Sequence, residues 1–133
     1  MPRPRYAPRM PTQTVTIQVF GLENDPSTRA ALRFFKERRV AISFVDLRKR
    51  AIAPAELRRF VERLGAPALI DETSRAYRDA GLGYLRMDDA AIVERLIADT
   101  RLLRLPLIRR GNDVTAGRDE AIWAAWVRPP TGP

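Results

Sequence analysis

The chain has 133 residues, enough for one domain, and its hydrophobic fraction of 45% is sufficient for a buried core. It contains no cysteine and no histidine, which excludes disulfides, thiolate nucleophiles, cysteine-type metal sites and the usual near-neutral acid–base group. The net charge of +8 and the pI of about 11.1 favour anionic partners, namely nucleic acid, an acidic protein surface or anionic small molecules. A genomic bias towards arginine would give the same charge without any binding function.

Residues 1–13 are rich in proline and arginine and are predicted to form an extended tail, because proline removes backbone donors. Two interpretations stay open for this tail: an arm that binds nucleic acid, and a solvated leader. The tail has no apolar signal core, and no apolar run in the chain approaches the ~20 residues that cross a bilayer. We therefore expect a cytoplasmic protein that does not associate with membranes.

Hydrophobic periodicity predicts alternating strands and helices along the rest of the chain. Strands are predicted at 14–20, 41–46, 102–108 and 114–116, and helices at 26–39, 54–64, 88–98 and 119–127. The initial strand–helix–strand order implies a parallel pair with a right-handed crossover. Between the second helix and the third, residues 66–83 are less periodic, which suggests short helical pieces around a polar turn at 71–74. Residues 129–133 form a second, breaker-rich tail.

The first strand leads into a polar loop that opens the first helix. Pro26 stands where the first helical turn begins, and Asn24 and Asp25 are candidate caps. The free N–H groups and the dipole at such a helix end attract anions, and Arg29 adds a positive charge about one turn further on. The alternative is an ordinary strand–helix connection with good capping residues.

The stretch from Gly21 to Arg29 resembles the active-site loop of the glutaredoxin-coupled arsenate reductase (ArsC) family, which includes the Spx transcription regulators. In that family the loop reads Asn-Cys-x-x-x-Arg at the start of a helix, and Asn24 and Arg29 match this pattern. Asp25 stands at the place of the cysteine. The resemblance therefore implies a family member without the nucleophile. Weaker matches extend it over residues 15–127.

This resemblance implies an α/β, thioredoxin-like fold over residues 14–128: a central mixed four-stranded sheet with a helical insert before the third strand. Thioredoxin-like proteins carry a cis-proline in the third strand, beside the active loop, and Pro106 is placed to serve as that residue. Cis peptide bonds are nearly confined to X-Pro, which agrees with this prediction.

In the family reductases several arginines cradle the oxyanion, and here Pro67 and Leu105 stand at two of those positions. Arg104 is adjacent to one of them, but neighbouring residues of a strand face opposite sides. Arg29 and Arg118 are therefore the remaining candidates for anion contacts.

The chemistry of Asp25 differs from that of a cysteine. A carboxylate can act as a nucleophile in phosphoryl chemistry, but it cannot donate two electrons through a disulfide. An anion at a helix N-terminus also stabilises the helix dipole by itself. We therefore interpret Asp25 as a structural group that occupies the anion position.

The leading hypothesis is a redox-inactive, thioredoxin-like binding or regulatory protein that has no catalytic residues, cofactor or metal. The candidate loop and surface for an anion or a partner comprises Asn24, Asp25, Ser27, Thr28, Arg29, Pro106 and Arg118. The resemblance to Spx implies a protein partner, RNA polymerase or another acidic surface, although the Spx-type Cys-x-x-Cys switch is missing. Weak, non-specific binding of nucleic acid agrees with the dispersed positive charge. The alternative is an arsenate reductase or thiol–disulfide oxidoreductase-like enzyme with altered chemistry.

Overall fold

The computed structural model describes residues 16–128, which form a mixed sheet with helices on both faces. The strands are β1 (Ile17–Gly21), β2 (Ile42–Asp46), β3 (Leu107–Arg110) and β4 (Asp113–Ala116), and the α-helices are α1 (Pro26–Glu37), α2 (Pro54–Leu64), α3 (Arg75–Asp79), α4 (Asp89–Ala98) and α5 (Glu120–Val127). The strand order is β2-β1-β3-β4; β1 is parallel to β2 and antiparallel to β3, and β3 is antiparallel to β4. The predicted α/β fold, a mixed four-stranded sheet with a helical insert before the third strand, is confirmed. The tails predicted at 1–13 and 129–133 lie outside the described residues.

Alternation of side chains along β1 gives the sheet two buried faces. Val19 faces α1 and α5, where it belongs to one core cluster with Phe35 and Trp123. Phe20 faces the opposite side and packs in a second cluster with α2, α4 and the insert, residues 66–83. Inside the first cluster, Nε1 of Trp123 donates a hydrogen bond to the hydroxyl of Thr115 at 3.1 Å, so that both buried polar groups are satisfied.

Local sequence signals set the helix starts. In α1, α3, α4 and α5 the residue before the helix accepts a hydrogen bond from a backbone N–H of the first turn; these caps are Asp25, Ser74, Asp88 and Asp119. Helix α2 begins instead at Pro54, and it ends before Gly65, which has a φ of 83° that favours glycine. The predicted cap Asp25 and the predicted ends of α2 are confirmed. Among the helices of residues 16–128, none is both long and apolar enough to cross a membrane.

The third strand is shorter than predicted. The sequence predicted a strand over 102–108, but β3 begins only at Leu107. Before it, the chain makes a 3₁₀ turn, and then Leu103 forms an isolated antiparallel bridge with Ile70 of the insert. The predicted cis peptide bond is present between Leu105 and Pro106, directly before β3. Proline has no N–H to donate to a ladder, so the regular strand starts after it.

Gly21 ends β1 against the first turn of α1, where there is no room for a side chain. A Cβ atom at this position would lie 2.5 Å from Oγ1 and 2.7 Å from Cγ2 of Thr28, which is fully buried. The close approach of the strand to the helix therefore depends on glycine.

We predict that Gly21→Ala lowers the free energy of unfolding by about 1–3 kcal/mol, the usual cost of overpacking a buried contact. Chemical denaturation measures this change. Gly83→Ala is the matched control, because a Cβ atom there would be in ordinary contact, 3.6 Å from Cε1 of Tyr77. Equal stability of the two variants would contradict the prediction.

Candidate functional site

A cavity of about 440 Å³ lies where the β1–α1 loop meets the segment that leads into β3. Its wall is formed by that loop, by the insert, by the segment before β3 and by the turn after β4. The lining residues are Leu22, Asn24, Asp25, Pro26, Ser27, Asp71, Thr73, Ser74, Arg101, Leu103, Arg104, Leu105, Gly117 and Arg118.

The structure brings together part of the predicted candidate surface. The predicted residues that lie in the cavity wall are Asn24, Asp25, Ser27 and Arg118. Three others lie outside it: Thr28 is fully buried beneath the loop, Pro106 is buried next to Leu105, and Arg29 is exposed on α1.

Asp25 is the N-cap of α1. Its Oδ2 accepts hydrogen bonds from the backbone N–H of Thr28 at 2.7 Å and from the Thr28 hydroxyl at 2.9 Å. The backbone N–H of Arg29 donates to the carbonyl of Asp25 at 2.9 Å. The carboxylate therefore lies at the positive end of the helix dipole and engages an N–H group that an anion bound there would otherwise use.

Arg104, which sequence reasoning discounted, lies in the cavity wall. Its Nε donates to the carbonyl of Ala68 at 3.0 Å and its Nη2 to the carbonyl of Ile70 at 3.1 Å, so the guanidinium joins the insert to the segment before β3. Its aliphatic stem lies against Gly117, where a Cβ atom would come within 3.0 Å of Cγ and Cδ. The strand alternation used to assess Arg104 does not apply to it, because Arg104 precedes the regular strand.

The other two arginines of the wall are paired with carboxylates next to the cavity. Nε and Nη2 of Arg101 lie 3.0 and 2.9 Å from the two oxygens of Asp99. This side-chain hydrogen bond lowers the pKa of the Asp99 carboxyl and raises the pKa of the Arg101 guanidinium. Nη2 of Arg118 lies 2.7 Å from Oε2 of Glu120. All four side chains have substantial exposure to water, so these pairs stabilise the fold little and can exchange for the charges of a ligand.

Leu105 lines the cavity, and its backbone groups are not used by the neighbouring segments. The N–H of Arg104 donates to the carbonyl of Leu69 at 2.8 Å, and the N–H of Gly117 donates to the carbonyls of Arg104 and Pro106, each at 3.0 Å. Within residues 16–128, neither the N–H nor the C=O of Leu105 has a hydrogen-bond partner, although the residue is only 8% exposed. Leu105 therefore offers one donor and one acceptor to a group that enters the cavity.

The sequence model of the ArsC family matches residues 20–126. The chain belongs to the ArsC family. The fold is shared with the YffB protein, at 20% identity and a TM-score of 0.79, over 85% of this chain and 100% of that one. It is shared with SACOL0876 from Staphylococcus aureus COL at 21% identity and a TM-score of 0.71, over 85% of this chain and 100% of that one. It is also shared with an arsenate reductase from Vibrio cholerae, at 16% identity and a TM-score of 0.68, over 77% of this chain and 90% of that one. No curated protein shows significant sequence similarity to the chain.

The charges around the cavity of this ArsC-family protein are balanced. The three arginines of the wall stand against four carboxylates, those of Asp25, Asp71, Asp99 and Glu120. Oδ1 of Asp71 accepts hydrogen bonds from the N–H and the hydroxyl of Thr73 at 3.0 and 2.6 Å. A free oxyanion that enters the cavity therefore meets no excess of positive charge.

We predict that Asp25→Ala lowers the free energy of unfolding by roughly 0.5–2 kcal/mol, because the first turn of α1 loses its side-chain acceptor. Asp25→Asn keeps an acceptor and loses only the interaction of the charge with the helix dipole, so its loss should be smaller, about 0.3–1 kcal/mol. Equilibrium denaturation of both variants measures the difference. Unchanged stability of the alanine variant would show that the cap contributes nothing.

Proposed function

We propose that this ArsC-family protein is a redox-inactive binding protein with a regulatory role, and that its cavity holds an extended segment of a partner protein. The observation that carries the proposal is that Leu105 lines the cavity while its backbone N–H and C=O lack partners within residues 16–128. An extended chain placed beside Leu105 would satisfy both groups by β-augmentation, a contact that needs no cysteine.

Three observations favour binding over reduction of arsenate. The sequence has no cysteine that could donate electrons to a substrate. Asp25, at the place that the motif gives to the nucleophile, is engaged as a helix cap. The nearly balanced charges of the wall also leave little attraction for a free oxyanion, which lacks the main-chain hydrogen bonds that a carboxylate-bearing peptide segment would add. The likeness to solved arsenate reductases supports a shared fold. The side chains that line the cavity of this protein favour binding of a partner over reduction of arsenate.

The partner segment is expected to carry carboxylates. Arg101 and Arg118 form exposed ion pairs of small net stability, so a carboxylate of the partner can replace that of Asp99 or Glu120 at little cost. The resemblance to Spx favours a cytoplasmic, transcription-associated partner such as RNA polymerase.

We predict that the pure protein does not reduce arsenate with glutathione and glutaredoxin as electron donors, because the chain has no thiol to form the required intermediates. Formation of arsenite is the measurement, with heat-denatured protein as the control. Arsenite above the level of this control would contradict the proposal and restore the enzymatic alternative.

We predict that Arg118→Glu weakens binding of the partner by about tenfold or more, because the reversed charge repels a carboxylate at the edge of the cavity. Arg29→Glu is the matched control, since Arg29 is also exposed but lies outside the cavity wall. The partner is first recovered with the tagged protein from the source lysate, and its affinity for each variant is then measured. Amide exchange at Leu105 should slow in the complex.

Equal affinities of the two variants, together with unchanged exchange at Leu105, would place the interaction elsewhere. Melting temperatures close to that of the unsubstituted protein are required of both variants. This condition separates loss of binding from loss of folding.

A further inference from the structure

Strand β2 forms an open edge of the sheet. Among residues 16–128 it pairs with β1 alone, whereas the other edge strand, β4, packs against α2. The N–H of Leu47 donates to the carbonyl of Gly21 at 3.0 Å, and backbone groups point to alternate sides along a strand. The N–H and C=O groups of Ile42 and Phe44 therefore point away from β1. Within residues 16–128, no hydrogen bond outside the ladder uses these groups.

A groove of about 610 Å³ runs along this edge. It is lined by residues 43–46 of β2, by Glu23 of the β1–α1 loop, and by Lys49 and Arg50 after β2. Phe44 is partly buried in the cluster that α1 and α5 cover, which fixes the strand against the sheet. Strand β2 is therefore held in place by the packing of Phe44, and the groove beside it has room for an additional chain.

Both ends of β2 are basic. Arg38 and Arg39 precede the strand, and Arg48, Lys49 and Arg50 follow it; all are exposed. The ion pairs among residues 16–128 involve none of these five. Nη1 of Arg38 donates to the carbonyl of Phe34 at 3.1 Å, and its guanidinium lies over the Phe34 ring. The charges of the other four are therefore available to an anionic ligand at the ends of the edge.

This arrangement disfavours self-association. Two copies paired antiparallel through β2 about a twofold axis would bring residues 48–50 of each copy towards Arg38 and Arg39 of the other. Like charges in such positions destabilise strand pairing, and charged flanks are a common protection of edge strands. A segment with carboxylates reverses the sign of this interaction.

We infer that the β2 edge accepts an extended acidic segment of a partner protein. Main-chain hydrogen bonds to Ile42 and Phe44 extend the sheet, and carboxylates of the segment contact the basic residues at the two ends of β2. This surface lies on β2, on the opposite side of β1 from β3 and Leu105, so it is independent of the cavity and of the function proposed for it.

The probe for this site is a short synthetic peptide of alternating valine and glutamate. Titration is followed by NMR of the ¹⁵N-labelled protein and by fluorescence anisotropy of the labelled peptide at low ionic strength, where charge contributes most. We expect saturable binding and slower amide exchange at Ile42 and Phe44. The same peptide N-methylated at alternate residues, which cannot extend a ladder, should bind about tenfold or more weakly, because main-chain hydrogen bonds supply the affinity of strand addition.

Matched charge reversals separate this edge from the overall charge of the protein. The double variant Lys49→Glu, Arg50→Glu should weaken peptide binding by roughly tenfold. The double variant Arg58→Glu, Arg59→Glu makes the same change of net charge on the exposed face of α2 and should bind the peptide almost as the unsubstituted protein does.

Five results would overturn the inference. The first four are no saturable binding at low ionic strength, equal binding of the N-methylated peptide, equal loss in the two double variants, and a dimer through β2 in sedimentation velocity. Binding of a single-stranded oligonucleotide at Lys49 and Arg50, without binding of the acidic peptide, would assign the surface to nucleic acid and overturn it as well. None of these measurements involves Leu105 or Arg118.

Discussion

The contact between Gly21 and Thr28 is the constraint on which the loop depends. Thr28 is fully buried in the first turn of α1, and its side chain occupies the space that a Cβ atom of Gly21 would need. The same threonine donates both its N–H and its hydroxyl to Asp25. One carboxylate and one missing side chain therefore fix how β1 passes into α1, and with it the part of the cavity wall that the loop supplies.

The opposite part of the wall depends on Arg104. Its two hydrogen bonds to carbonyls of the insert join segments that lie 36 and 34 residues apart in the sequence. Because Arg104 uses both its N–H and its side chain to hold the insert, and Gly117 closes the other side, the backbone of Leu105 is left between fixed neighbours. Because these neighbours are already fixed, the binding of a partner at Leu105 would cost less conformational entropy.

The cavity and the β2 edge present two ways of recognising an extended chain on one sheet. The cavity offers the backbone donor and acceptor of Leu105, set among nearly balanced charges. The β2 edge offers the donors and acceptors of Ile42 and Phe44, set between basic side chains that form no ion pair within residues 16–128. Acidic segments suit both surfaces, and the second selects mainly by charge and by main-chain pairing.

The sequence by itself determined the fold class, the starts of the main helices and the capping role of Asp25. These features depend on local patterns: apolar periodicity, polar residues before helices, and a loop motif that in its family joins a strand to a helix. It also determined that no thiol chemistry is available to this chain, because the absence of cysteine can be read directly from the amino-acid composition.

Only the tertiary structure decided which arginines line the cavity. Arg29 fits the family motif but lies outside the wall, whereas Arg101 and Arg104 lie within it. The place of Arg104 depends on where β3 begins and on carbonyls of the distant insert, and no local pattern encodes either. The charge balance of the wall was likewise hidden, because it depends on the ion pairs that Arg101 and Arg118 form with neighbouring carboxylates once the turns bring them together.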